Sequence, residues 1–394
     1  MAILAALPIK LALATGTDLS PDEAYYLGAA RLDGVRPRLV DHPPMVVWLS
    51  GLGDRLPALP LELRVRLPFV ALSVALTLAC VAVADRRGGG PRGRSLVALA
   101  TSFGLLPMVG GFLATPDVPA LLAVVAALGW AVPQAGPSRP RHAVATIAAG
   151  IAIALGALSK VVVLPLAVAI AVAARSRSTA ARIALLVPMV LAYALLAPSL
   201  TFQLRHAFGA GAVDPAGAFA ALAAAASAQV LLWSPWLLAR GVVALRRAPT
   251  SPESLVVAAL TVLVAISAVV RATPPEPNWW APAALALVIA AGARTDEATK
   301  QAANRAAELA DRARPAIVAW LAAPTLLAAA HALHPFLPLP TRADPTARLH
   351  GWRSARPPLD APGVGPYASA AERCANASDC ADLRLYFDRL NRNQ

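Results

Sequence analysis

Charge is scarce in this chain. Only 14% of its 394 residues are Asp, Glu, Lys or Arg, whereas 58% are hydrophobic. A soluble protein of this length would divide into two or three domains, and this balance excludes that. Ala, Leu and Val dominate in runs far longer than a strand, without the alternating polarity of a membrane barrel. The expectation is a polytopic, all-α membrane protein, because a segment in lipid must satisfy its own backbone hydrogen bonds. Cysteine is nearly absent, and three residues exclude a disulfide scaffold. Cys80 sits in an apolar run as inert packing. Cys374 and Cys380 lie in a polar tail and are able to pair if that tail is outside the cytoplasm; they lack the further ligands a zinc site wants. Aromatic residues make up 5%, and no basic stripe interleaved with them accompanies the net charge of +13. Nucleic acid is therefore excluded as a partner.

Apolar runs fall at about 1–15, 66–84, 96–114, 119–133, 143–158, 161–174, 183–204, 217–239, 254–270, 279–293 and 315–333. They predict about eleven membrane helices, some tilted or re-entrant. The first run carries Lys10 and reads as a helix, since no small-residue cleavage site of a signal peptide precedes the acidic loop. Alternate loops hold Arg86, Arg87, Arg92, Arg94, then Arg139 and Arg141, then Arg175, Arg177 and Arg182, then Arg240, Arg246 and Arg247, then Arg294 to Arg314. The positive-inside rule places these in the cytoplasm and the long first loop outside. The expected organisation is a transmembrane domain over 1–338, with a first extracytoplasmic loop at 16–65 and a cytoplasmic amphipathic segment at 294–314 near the membrane surface. A short extracytoplasmic tail, 339–394, follows.

With that topology the unusual polar residues share one side. The first loop contributes Asp22, Glu23, Asp41 and His42; "ATPDVPA" contributes Asp117, and "GALSKVVV" contributes Lys160. "FQLRHAF" adds Arg205 and His206, and "VVRATPPEPNWWAP" adds Arg271, Glu276, Asn278, Trp279 and Trp280. Each has a plain structural alternative. Asp22 and Glu23 after Ser20-Pro21 open a helix, Asp117 caps one, Lys160 snorkels, the tryptophans anchor at the interface, and Arg205 and Arg271 are loop charges. Their gathering opposite the arginines is what those alternatives do not predict. Carboxylates serve as general bases towards an attacking hydroxyl, and Lys, Arg and His stabilise a phosphate leaving group. A lipid-tailed sugar phosphate fits both the charges and the membrane.

The stretches "SPDEAYYLGAARL…DHPPMVVWL", "TPDVPALL", "ALSKVVVLPLAV" and "EPNWWAPA" resemble the successive motifs of the family 39 glycosyltransferases. These are the bacterial relatives of protein O-mannosyltransferases and of the lipid A aminoarabinose transferase. "HALHPFLPLPTRADPTARLHGWR" is similar to the segment after their last membrane helix, so the likeness runs from about Ser20 to Arg353. The resemblance implies the GT-C fold, a polyprenyl-phosphate sugar donor and inversion at the anomeric centre. It implies Asp22 as catalytic base, with Glu23 either supporting it or holding the local structure. Asp117 would take the second acidic position near the donor, helping to orient the acceptor. His42 and Lys160 would contact the lipid-linked phosphate, with Arg205, His206 and Arg271 as further donor-site residues and Glu276 to Trp279 lining the cavity.

No metal or cofactor is expected, although Asp41 and Asp117 are the acids that would recruit a divalent ion. The expected partners are a polyprenyl-phosphate sugar, a glycolipid, polysaccharide or protein acceptor, and the lipid bilayer, in a bacterial inner membrane with the site facing the periplasm. The chain departs from the pattern at Leu27, Gly28 and Ala29, where aromatics commonly follow Asp-Glu-Ala-Tyr-Tyr, and in its short tail. A transporter or flippase of lipid-linked sugars and a non-catalytic scaffold are the rival readings.

Overall fold

The computed structural model describes residues 1–33, 43–132, 139–192, 215–271, 276–293, 300–339, 344 and 346–350. Among these, the chain is helical and contains no strand. The helices in order are α1 (Ala2–Gly16), α2 (Pro21–Asp33), α3 (Met45–Asp54), α4 (Leu61–Arg86), α5 (Gly90–Phe103), α6 (Leu105–Gly110), α7 (Asp117–Ala131) and α8 (Arg139–Ala157). There follow α9 (Val163–Ala173), α10 (Thr179–Ala192), α11 (Pro215–Trp233), α12 (Pro235–Arg247), α13 (Pro252–Arg271), α14 (Ala281–Gly292) and α15 (Lys300–Leu333). Short 3-10 turns, Pro277–Trp280 and Ala347–Leu349, complete the set.

Three described helices are long and apolar enough to cross a membrane alone: α4, Pro252–Val270 of α13 and Pro315–Leu333 of α15. At a rise of about 1.5 Å per residue, α4 reaches about 39 Å, beyond the roughly 30 Å hydrocarbon layer. Shorter apolar helices, including α1, α7, α9 and α10, pack among them. The main core gathers α4, α5, α7, α8, α9, α13 and α14 around Leu128, Trp130, Ile153, Leu166, Ile170 and Val288, all buried.

Two runs expected as single helices are broken, and both breaks have the same cause. The run at 96–114 stops at Gly104 and restarts as α6; the run at 217–239 bends by 106° between Trp233 and Pro235. Pro107 and Pro235 have no N–H to give to the carbonyls four residues earlier, Phe103 and Leu231. In lipid an orphaned carbonyl is costly. Helix α15 satisfies both: Thr325 Oγ1 donates to Phe103 O at 2.8 Å, and Trp320 Nε1 donates to Leu231 O at 3.2 Å. Ser234 turns the second corner with a positive φ of 93°.

The first loop holds α2 and α3. The polar stretch expected as an amphipathic segment at 294–314 is helical from Lys300 on and continuous with the membrane part of α15. Pro315 and Pro324 lie inside that helix without ending it.

The arginine-rich end is tied by side chains to helix ends. Arg177 donates to the carbonyls of Trp130 and Val132 at the end of α7, Arg240 Nε donates to Ala291 O at 2.7 Å, and Arg87 pairs with Glu253 at 2.9 Å. Cations at helix C-termini are electrostatically favourable and keep the last carbonyls satisfied.

Replacing Thr325 by the nearly isosteric valine leaves the Phe103 carbonyl without its donor. The expected cost is about 1–3 kcal/mol, read as a lower unfolding temperature in detergent; an unchanged temperature would show the carbonyl needs no partner.

Candidate active site

The N-terminus of α2 is a capping box. Glu23 N–H donates to Ser20 Oγ at 3.3 Å, and Ser20 N–H donates back to Glu23 Oε2 at 2.8 Å. Pro21 takes the first helical position, where its missing N–H costs nothing. Glu23 does more than cap. Arg66 Nε donates to Oε1 at 2.8 Å and Arg66 Nη2 to Oε2 at 2.7 Å, and Ala114 N–H donates to Oε1 at 2.8 Å. Both side chains are 0% exposed. Burial is the largest influence on the Glu23 carboxyl and raises its pKa. The Arg66 charge and hydrogen bonds, with the Ala114 and Ser20 N–H groups, more than offset it, so Glu23 titrates below its ordinary 4.5.

Arg66 itself is saturated. Its Nη1 donates to Ala14 O at 3.2 Å, Thr17 O at 3.0 Å and Thr17 Oγ1 at 2.8 Å, and its Nη2 also donates to Asp18 O at 2.6 Å. One guanidinium thus joins the end of α1, the start of α2, the first turns of α4 and, through Glu23, the segment leading to α7. On the far side Asp18 N–H donates to Leu349 O at 3.0 Å, so the segment after α15 also closes on this loop. His331 accepts the N–H groups of Phe336 and Leu337 on Nδ1 and faces Asp344 Oδ2 at 3.5 Å, which fixes that return.

Asp22 is the neighbour of Glu23 on α2, about 100° round the helix, and is half-buried rather than enclosed. Ala114, held by Glu23, precedes Asp117 by three residues, at most about 10 Å of chain. Asp117 opens α7. Its Oδ1 is 2.6 Å from Lys160 Nζ, and its Oδ2 accepts from Asn278 Nδ2 at 3.2 Å. The preceding residue, Ser159, donates to Pro116 O at 2.7 Å, pinning the Ser-Lys motif against the start of α7. Side-chain exposures of 19% for Lys160 and 16% for Asp117 leave the pair open to a ligand. Asn278 Oδ1 is enclosed without a hydrogen-bond partner, as are Thr115 Oγ1 and Trp280 Nε1, two residues along the chain from Asp117 and Asn278 respectively. Trp279 Nε1 donates to Glu276 Oε2 at 3.3 Å at the exposed edge.

The sequence-predicted residues therefore fall into groups. Asp117, Lys160 and Asn278 meet directly, with Glu276 on the adjoining turn and Asp22 on the neighbouring helix start. Met45 N–H donates to Leu158 O at 3.0 Å, which brings the end of the Asp-His-Pro-Pro motif to the Ser-Lys motif. Asp41, His42, Arg205 and His206 lie outside the described residues, as do the Arg271 side chain and Cys374 and Cys380. Of the two roles left open for Glu23, the enclosed geometry supports the structural one. Arg66 carried no sequence signal beyond an arginine, two residues after Arg64, at the edge of an apolar run. Lys10 finds its partner in Ser73 of α4, Nζ to Oγ 3.0 Å. Among the described residues no three His, Cys, Asp or Glu side chains are grouped to hold a metal ion.

Residues 41–202 match the family model described as dolichyl-phosphate-mannose-protein mannosyltransferase. No match was found among curated protein sequences. Among solved structures, ArnT from Cupriavidus metallidurans bound to undecaprenyl phosphate superposes with a TM-score of 0.60 at 20% identity, over 84% of this chain and 71% of that one. ArnT from the same organism in the apo state gives 0.56 at 22% identity, over 74% of this chain and 58% of that one. This chain thus spans between 58% and 71% of the ArnT chains it matches. It is a multi-pass membrane protein of the GT-C fold. The family resemblance read from its motifs holds over the matched segment, which contains Asp117 and Lys160.

Arg66→Met would strand a buried carboxylate, at an expected cost of about 3–5 kcal/mol, and Glu23→Leu/Arg66→Met together should recover much of it. Denaturant unfolding in detergent measures both; a single variant as stable as wild type would remove the pair from its supporting role. Because the folded pKa of Glu23 is depressed, its contribution is present above 4.5 and is lost as pH falls below that value, so acid should destabilise wild type more than the double variant.

Proposed function

We propose that this protein is a membrane glycosyltransferase that moves a sugar from a polyprenyl-phosphate donor to an acceptor hydroxyl on the extracytoplasmic side. The observation that carries this reading is the meeting of Asp117, Lys160 and Asn278 beside the anchored start of α2, at the end of a GT-C bundle opposite the arginine-capped helix ends. The likeness to an ArnT structure bound to undecaprenyl phosphate supports the donor class.

In this mechanism the acceptor hydroxyl attacks the anomeric carbon from the face opposite the phosphate. Its proton passes to Asp22, the new C–O bond forms, and the bond to the phosphate oxygen breaks with its electron pair leaving on the phosphate. One displacement inverts the centre, and no carboxylate nucleophile is needed. Glu23 cannot substitute for Asp22, because all of its oxygens are engaged inside the protein. Lys160 offsets the charge that develops on the leaving phosphate. His42, Arg205, His206 and Arg271 are the other basic groups assigned to that phosphate. Asp117 orients the acceptor, Glu276 belongs to the walls of the same site, and Asp41 is assigned to substrate binding. Holding two substrates in line at the membrane surface supplies much of the acceleration.

No metal enters this scheme. The bacterial inner membrane, with the site towards the periplasm, is the location it requires. Transport of a lipid-linked sugar would call for charged groups on broken helices at mid-membrane; the acid–base cluster lies at the helix starts instead.

Membranes carrying wild type or Asp22→Asn should be compared for sugar release from a panel of radiolabelled polyprenyl-phosphate sugars. Loss of a general base predicts a fall of about 10²–10⁴-fold with unchanged expression and unfolding temperature. Equal release from both proteins would remove Asp22 from the chemistry.

A further inference from the structure

The Asp117 cluster is both closed and incomplete. Each carboxylate oxygen is occupied, Oδ1 by the Lys160 ammonium at 2.6 Å and Oδ2 by the Asn278 amide at 3.2 Å. Yet the pair is only partly enclosed, with side-chain exposures of 19% for Lys160 and 16% for Asp117, and Asn278 Oδ1, on the residue that holds Oδ2, has no hydrogen-bond partner. Buried polar groups are almost always satisfied, so this orphan at a partly open ion pair marks a place where a ligand completes the bonding. A phosphate accepts hydrogen bonds and carries negative charge. Lys160 offers it a cationic donor, whereas the Asp117 carboxylate that Lys160 now holds repels it.

A phosphate can therefore settle beside Lys160 only by drawing the ammonium away from Asp117. We propose that Asp117 is an internal stand-in for the donor's phosphate, so that the donor binds first and by doing so releases Asp117 to receive the acceptor hydroxyl. The inference rests on the transferase reading above and adds an order of binding to it. Before the donor arrives, the Asp117 charge is held by the Lys160 ammonium at 2.6 Å, which weakens its pull on a hydroxyl proton. Once Lys160 turns to the phosphate, Asp117 keeps only the Asn278 amide, and the vacated oxygen accepts a hydrogen bond from the incoming acceptor.

The same exchange bears on the end of the cycle. The donor is a phosphodiester with one negative charge; the product is a phosphomonoester with about −1.5 to −2 at neutral pH. Lys160 is drawn more strongly to the phosphate as the bond breaks, which is stabilisation made in the transition state rather than in the ground state. It also threatens to trap the product. The Asp117 carboxylate, waiting to retake Lys160, counters that trap and speeds release.

The probe is undecaprenyl phosphate, binding to the purified full-length protein in detergent. Asp117→Asn keeps the shape and the Asn278 contact but no longer competes for Lys160. It should bind undecaprenyl phosphate about 5–10-fold more tightly than wild type while turning over more slowly, about 1–1.4 kcal/mol in binding by the tenfold-per-1.4 relation. Asp117→Ala removes the carboxylate by truncation and should shift affinity in the same direction, which guards against a variant that misfolds. Lys160→Met should weaken binding more than tenfold, with or without the Asp117 change. Affinity unchanged or weakened in both Asp117 variants, with wild-type unfolding temperatures, overturns the exchange while leaving the transferase reading intact. Failure of wild type itself to bind undecaprenyl phosphate overturns both.

Discussion

Arg66 and Glu23 form a fully enclosed ion pair, 2.7 Å between Nη2 and Oε2, near the start of a long membrane helix. Two charges taken out of water cost several kcal/mol each unless their geometry is good and their remaining hydrogen-bonding capacity is met. Here both conditions hold: the guanidinium also meets the last turn of α1, Thr17 and Asp18, and the carboxylate also meets Ser20 and Ala114. The consequence is geometric. Three separated stretches of chain are held at one point, and the loop carrying Asp22 has little freedom relative to the helix that begins at Asp117. Removing either charge would leave the other buried and alone, so the arrangement tolerates neither loss.

The bundle is electrically divided by the same principle applied at both ends. At one end arginines turn inward onto helix C-terminal carbonyls, through Arg177 to Trp130 and Arg240 to Ala291. Their contacts cap helices. At the other end acids stand at helix starts: Glu23 at α2 and Asp117 at α7. Acidic groups at helix N-termini are favourable in themselves. An acid placed there conflicts less with stability than it would at mid-membrane, and Asp117 keeps Lys160 as its cation at 2.6 Å.

Local features were legible in the sequence. The Ser20-Pro21-Asp22-Glu23 order foretells a capped helix start, and hydropathy foretells the membrane helices α4, α13 and α15. The breaks at Gly104 and Ser234 were not legible, because counting apolar residues does not weigh a carbonyl that Pro107 or Pro235 cannot satisfy. Nor does it reveal that Thr325 and Trp320, far along the chain, supply the missing donors. The acid and base positions were recognisable as motifs, but the pairing of Asp117 with Lys160 spans two helices and has no local signal. Arg66 escaped notice because an arginine at the edge of an apolar run ordinarily marks a helix end in water; here it is wholly enclosed.

The enclosure of Glu23 gives the account its sharpest chemical consequence. With that carboxylate locked onto Arg66, the proposed mechanism leaves Asp22 as the one acid at the start of α2 to act as base, and one acid serves a single displacement. The most direct measurement is the anomeric configuration of the transferred sugar, determined by NMR on product from a donor of known configuration. Inversion is the predicted result. Retention would demand a second carboxylate acting as nucleophile, and would contradict the division of roles between Asp22 and Glu23 on which the account stands.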